Sequence, residues 1–334
     1  MRPIFALALA ASLATSLAGI SHAQVQDKVT YQYSWLPTGE YAPYSVGMAK
    51  GFYKEVGIDL QVATGRGSGD AVKKVAGGAA MFGDGDISAV MAARAQEKAP
   101  VKCVMAQHVQ SPHSLFVLES SGIKSFKDLA GKTLATTPGN SHYLYFPLVA
   151  KLAGLDPASV KWVTVDASAM APMLIAGRVD DAPLFATHLY YQNKEAQKYG
   201  KTIKAIPFAE AGFKIYSYCI YTREDVMAQS PDLVRRFVAA TAKSFLWAKD
   251  HIEEAAAIHH ARFPDVDEDD AKGSMRILFT YMFDDATERD GFGAFNKDRL
   301  ADTYRAVSQA QNLPPDADIN QFVDMRFLPA KSTQ

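Results

Sequence analysis

Cysteine is nearly absent. Two in 334 residues cannot staple a small scaffold, and no Cys/His spacing matches a metal site. Cys103 and Cys219 lie in apolar, strand-like runs, "VKCVMA" and "YSYCIY". They are expected as buried free thiols, a bridge in an oxidising compartment being the alternative. An excess of basic charge is missing too. Lys and Arg number 35 against 36 Asp and Glu, and no Lys/Arg run stands out, which excludes nucleic acid as the partner. The apolar run from about Ile4 to Ala18 falls short of the ~20 residues that span a bilayer.

Catalytic signatures are missing as well. "GRGSGD" has the look of a dinucleotide loop, but Asp70 stands where the third glycine belongs, and a carboxylate there repels a pyrophosphate. Ser68 is flanked two residues away by Arg66 and Asp70, so no nucleophile elbow forms. His108, His113, His142 and His188 fall near predicted strand ends or lobe crossings, at no recognisable spacing from a nucleophile. His259 and His260 are adjacent on a helix, point in different directions and read as a solvated face. No catalytic residue, cofactor or metal is expected. An exported enzyme on the same fold is the rival from another class.

What is present begins with a leader. "MRPIFALALAASLATSLAGISHAQ" has an early Arg2, an apolar run, and small residues Ser21 and Ala23 before Gln24. That pattern predicts a secretory signal peptide over residues 1–23, cleaved after about Ala23, and a periplasmic product. Beyond it, hydrophobic period and glycine punctuation predict strand–loop–helix–strand–loop–helix–strand twice. The first series runs from "VTYQYSW" to "AMFGDGDI", the second from "TLATT" to "DDAPLFA". Alternation of this kind predicts an α/β protein of two lobes, each a mostly parallel sheet flanked by helices. Loops at the strands' carboxyl ends then line a cleft between the lobes. A tail with Leu233, Phe237, Thr241 and Phe245 at i+4 packs onto the first lobe. Lobe I is therefore 24–112 with 216–334, and lobe II is 113–215.

The loop after the first strand, "WLPTGEYAPY", carries Trp35, Tyr41 and Tyr44 where turn chemistry favours small polar residues. Large rings there need a cover, either the core or a flat guest. Trp35 and Tyr41 are expected to stack on a guest, with core packing as the alternative, whereas Tyr44 and Phe52 read as core. Glu40 is either a pocket acid or a solvated loop charge. Asp86 precedes a helix and reads as a cap first and a ligand contact second. Pro138-Gly139 turns the chain sharply ahead of a helix, which brings Asn140 and Ser141 to the cleft. Ser168 either meets the ligand or caps the next helix, and His108 ends a strand near the first crossing.

Four segments in order carry a family resemblance: "GFYKEVGIDL", "GIKSFKDLAGKTLA" with "TPGNS", "GRVDDA", and "SPDLVRRFVAATAKSFLWA". The mature chain resembles ABC-transporter substrate-binding proteins of the nitrate/sulfonate/taurine and thiamine-pyrimidine-precursor family. The resemblance implies a type II periplasmic binding fold, a small-molecule solute, and a permease partner with its cytoplasmic ATPase. It implies a monomer that closes on its solute by hinge rotation. It places Trp35 with Tyr41, Gly67 with Ser68, Asn140 with Ser141, Phe185 and Tyr216 at the ligand. "GEYAPY" resembles the branch for planar heteroaromatic solutes, and Glu40 suits a ring amine or ring N–H. The alternatives are a small anion (alkanesulfonate, taurine, nitrate) or an aromatic carboxylate. One branch makes a thiamine pyrimidine with a Cys-rich motif and iron, and this chain has no such cluster. Receptors of this shape also serve sensor proteins.

Overall fold

A computed structural model describes residues 26–330; the expected signal peptide lies outside the described residues. The first lobe is built on strands β1 (Asp27–Gln32), β2 (Ile58–Ala63), β3 (Phe82–Asp86), β4 (Val101–Ala106) and β10 (Tyr218–Arg223), in the order β2-β1-β3-β10-β4. β2, β1 and β3 run parallel, and β10 runs antiparallel between β3 and β4. The second lobe holds β5 (His113–Leu118) between β8 (Leu184–Phe185) and β9 (Ile203–Pro207), with β6 (Thr133–Thr136) beside β7 (Lys161–Thr164). Asp181 ties the two pieces through bridges to Val117 and Leu134.

Of the second-lobe strands only β6 and β7 are parallel; β5 pairs antiparallel with both neighbours. The departure from a mostly parallel sheet has a simple cause. β5 carries the chain into this lobe and β9 carries it out, so side by side they must run oppositely. The same holds for β4 and β10 in the first lobe.

That antiparallel pair overturns the expectation of free thiols. Cys103 on β4 and Cys219 on β10 form a disulfide, with Cα atoms 5.7 Å apart. A register shift between Ile220 and Tyr221 lies within the pairing, and both cysteines are fully buried. The bridge links the strand leaving for the second lobe to the strand returning from it. The enclosed loop contains the whole of that lobe.

The tail behaves as its period predicts. Leu233, Phe237, Thr241 and Phe245 on the helix Pro231–Asp250 are all buried. Phe237 stacks on Phe82 of β3 at 4.1 Å, and each such buried ring contributes about 2–3 kcal/mol of transfer free energy. Tyr44 is core as expected, with its hydroxyl bonded to those of Tyr31 and Gln107's amide. Trp162 packs edge-on to Phe146 at 5.1 Å.

Candidate functional site

Between the lobes lies a small cavity of about 30 Å³. Its first-lobe wall is Trp35, Gly67, Ser68 and Tyr218; the second-lobe wall includes Asn140, Ser141, His142, Phe185 and His188.

Trp35 is set there by its own loop. Asp84, in the middle of the neighbouring strand β3, accepts the Ser34 N–H at 2.8 Å, and Tyr41 Oη accepts the Trp35 N–H at 3.1 Å. Ser34 Oγ donates to Tyr218 Oη at 2.9 Å. Tyr41 itself stacks on Tyr33 at 4.1 Å and is 2% exposed, so its ring joins the core and its hydroxyl props the Trp35 backbone. It does not line the cavity.

Two helix N-termini, one from each lobe, border the space. Gly67 caps Ser68–Ala76, and Asn140 caps Ser141–Leu152 by accepting the His142 N–H at 2.8 Å. Gly67 needs its glycine: its φ is 151°, and a Cβ would lie 3.1 Å from the Pro138 carbonyl of the facing lobe. Ser68 and Ser141 are first helical residues, so their N–H groups have no partner inside their own helices.

Behind the walls sits a buried polar layer that crosses the lobes. Glu40 accepts from Thr187 Oγ1 at 2.9 Å and faces His188 Nε2 at 3.3 Å. Burial pushes its carboxyl up, but His188, Thr187 and His108 outweigh that and leave it below the ordinary carboxylate range. Asp86 caps the next helix through Ser88 N–H at 3.0 Å and accepts from Tyr145 Oη and Ser217 Oγ, each at 2.8 Å. Burial raises its pKa. Asp86 is thus a lobe-bridging cap; Ser68 Oγ, accepting the Asp86 N–H at 3.0 Å, links it to the cavity wall.

Four histidines surround Phe185, with ring centroids at 4.8 Å (His113), 5.2 Å (His142), 5.9 Å (His108) and 6.4 Å (His188). His108 stacks on Tyr218 at 4.8 Å, behind the wall. Burial pushes His108 down to about 4 and His142 down to about 3, so both rings are neutral at pH 7.

Of the twelve residues expected at the ligand, Trp35, Gly67, Ser68, Asn140, Ser141 and Phe185 come together at the cavity. Glu40, Tyr41, Asp86 and His108 stand immediately behind it. Two fall elsewhere. Ser168 is exposed in the short turn Ala167–Ala169. Tyr216 packs on Phe295 at the return crossing, its hydroxyl accepting the Asn296 N–H at 2.8 Å. Tyr218, two residues on in "YSYCIY", takes the cavity position. His142 and His188, weighed in the sequence only as catalytic groups, and Tyr218 were not expected at the ligand; for Tyr218 the alternation of a strand was the available signal. No Lys or Arg lines the cavity, and Arg66 is exposed.

Two α/β lobes joined by two crossings, with helix N-termini meeting at the cleft, define the periplasmic-binding-protein fold. Solved structures share it. A ligand-binding component of an ABC-type import system from Staphylococcus aureus superposes with TM-score 0.70 at 14% identity, over 92% of this chain and all of that one. The periplasmic aliphatic sulphonate binding protein SsuA from Escherichia coli gives 0.64 at 14% identity, over 89% of this chain and 92% of its own. The desulfurization enzyme DszB also has the fold, with TM-score 0.57 at 18% identity, over 90% of this chain and 97% of its own.

The chain belongs to the NMT1/THI5-like family, which it matches over residues 38–255. Among its relatives is the riboflavin-binding protein RibY of Chloroflexus aurantiacus, 25% identical over 91% of this chain and 87% of that protein. Another is a 4-amino-5-hydroxymethyl-2-methylpyrimidine phosphate synthase of Legionella pneumophila, 26% identical over 69% of this chain and 72% of the synthase.

Proposed function

We propose that the protein is an exported solute receptor of an ABC importer that closes on one small, flat, uncharged heteroaromatic molecule. The observation that carries this reading is the lining of the cavity. Trp35 and Tyr218 on one lobe face Phe185, His142 and His188 on the other, with serine and asparagine groups between them and no cationic side chain. Rings supply a dewatered face for a flat guest, and a few polar groups fix its orientation.

Signal-directed export, action as a monomer, and delivery to a permease with its cytoplasmic ATPase complete the proposal. Ligand-driven closure needs only more contacts in the closed state than in the open one. Binding without turnover is favoured over synthesis because both cysteines are locked in a disulfide on the sheet, leaving no thiol at the cavity.

A second reading has its own support. The two helix N-termini favour an anionic or carbonyl group, which suits an aromatic carboxylate or a sulfonate. Titration calorimetry with an aminopyrimidine, lumichrome, benzoate and benzenesulfonate separates the two. Preference for the neutral rings upholds the first; preference for the anions replaces it with the second.

A further inference from the structure

One buried network connects the cavity to both crossings between the lobes. At its centre is Asp86, wholly buried at the end of β3. Its Oδ1 accepts from the Ser88 N–H at 3.0 Å and from Ser88 Oγ, and its Oδ2 accepts from Ser217 Oγ at 2.8 Å. Ser88 belongs to the first lobe. Ser217 directly precedes β10 and is held to that lobe by the Ile87 N–H, which donates to its carbonyl at 2.8 Å. These three donors therefore stay with the carboxylate whether the lobes are together or apart. The fourth does not. Tyr145 Oη donates to Oδ1 at 2.8 Å from the helix Ser141–Leu152 of the second lobe. Two further links lead to the cavity walls. Ser68 Oγ accepts the Asp86 N–H at 3.0 Å on one side. On the other, His113 Nε2 lies 3.5 Å from Asp86 Oδ2 and 2.9 Å from Ser141 Oγ. His113 Nδ1 lies 2.7 Å from Ser111 Oγ, on the outgoing crossing.

We infer that Tyr145 and Asp86 form the latch through which an occupied cavity holds the lobes shut. The inference rests on the reading of a receptor that closes on its solute. A ligand shifts an equilibrium only through contacts that differ between the two states. Among the bonds to Asp86, the one from Tyr145 is the one that opening removes. Ser141 and Tyr145 are one helical turn apart and share a face, so a solute that engages Ser141 fixes the helix that carries Tyr145 onto Asp86. A hydrogen bond to a carboxylate is stronger than one between neutral groups, and its loss lowers the closed-to-open ratio about tenfold or more. Neither residue lines the cavity; both act as positioning residues.

The test sets two substitutions at one carboxylate oxygen against each other. Tyr145→Phe removes the donor that crosses the lobes, and Ser88→Ala removes a donor that does not. Spin labels on cysteines introduced at Gln61 and Lys161, one on each lobe, give the closed-to-open ratio by double electron–electron resonance. It is read without additive and on titration with lumichrome. Tyr145→Phe should lower the ratio about tenfold or more and move the midpoint of closure to higher lumichrome concentration by the same factor. Ser88→Ala should leave ratio and midpoint where the wild type has them. A merely structural role for Tyr145 lowers the melting temperature and leaves the midpoint unmoved, which overturns the inference. So does a midpoint that Ser88→Ala moves as far as Tyr145→Phe. Both of these results leave the closing receptor standing. A wild type that keeps one lobe separation at every lumichrome concentration overturns that reading and the latch with it.

Discussion

Closure rests on more than the cavity, and one glycine exposes this. The helix Leu189–Gln197 of the second lobe lies on Glu268–Met282 of the first, with the Tyr190 ring seated on Gly273. A Cβ at 273 would stand 2.1 Å from Tyr190 Cγ, against an ordinary carbon contact of about 3.5 Å, so the ring must retreat about 1.4 Å. That retreat takes Tyr190 Oη out of reach of Asp269, now at 2.8 Å. It also strains Lys194, whose ammonium meets Asp267, Asp269 and Asp270 at 3.0, 3.2 and 2.9 Å. Overpacking costs about 1–3 kcal/mol, hence roughly 5- to 150-fold in the closed-to-open ratio. The open form pays nothing, and alanine in a helix interior gains it about 1 kcal/mol over glycine. Gly273→Ala should therefore open the protein while slightly raising the melting temperature. Spin labels on cysteines introduced at the exposed positions Gln61 and Lys161 report the lobe separation by double electron–electron resonance. The native cysteines are bridged and take no label. An unchanged distance distribution in Gly273→Ala refutes the reasoning.

The disulfide closes a loop spanning 116 positions, for which chain entropy gives about 5 kcal/mol of stabilisation. In a chain of about 300 residues this corresponds to a melting temperature about 8 °C lower for the Cys103→Ala, Cys219→Ala protein, measured by calorimetry; a shift under 2 °C contradicts it. Asp84 is pushed up to about 7 by burial, from an ordinary 3.8. The unfolded chain releases this proton near pH 4 and the folded one near pH 7. Stability from this group is therefore full below pH 4 and lost between 4 and 7, by up to about 4 kcal/mol. Asp84→Asn, which can keep the Ser34 and Tyr31 contacts, should gain stability over the wild type across that window in urea titrations. A difference independent of pH contradicts this. Trp35→Ala should weaken solute binding roughly 5- to 150-fold by removing a stacking face while leaving the fold intact, as circular dichroism would show. Unchanged affinity removes Trp35 from the site.

The doubled strand–helix plan was legible because period and glycine stops are local signals. The i+4 stripe through Phe237 and Phe245 and the sharp turn at Pro138-Gly139 ahead of a helix were legible for the same reason. What stayed hidden depends on pairing between distant segments. Nothing near Cys103 announces that β10 lies beside β4, so the bridge to Cys219 could not be read. The antiparallel setting of β5 between β8 and β9 is likewise a fact of chain entry and exit. Tyr41 has the composition of a stacking residue, yet Tyr33 two residues before Trp35 claims its ring. Tyr216 and Tyr218 differ only in which of them has passed the crossing, a matter of two residues that loop composition cannot resolve. Glu40 was open between pocket acid and solvated charge, and its burial against Thr187 and His188 required the second lobe to be in place.

Mass spectrometry of the solute released on denaturing natively purified protein tests the proposed function most directly. A small, flat, neutral aromatic heterocycle is the predicted finding. A sulfonate, a carboxylate or nitrate held at the same stoichiometry would contradict it.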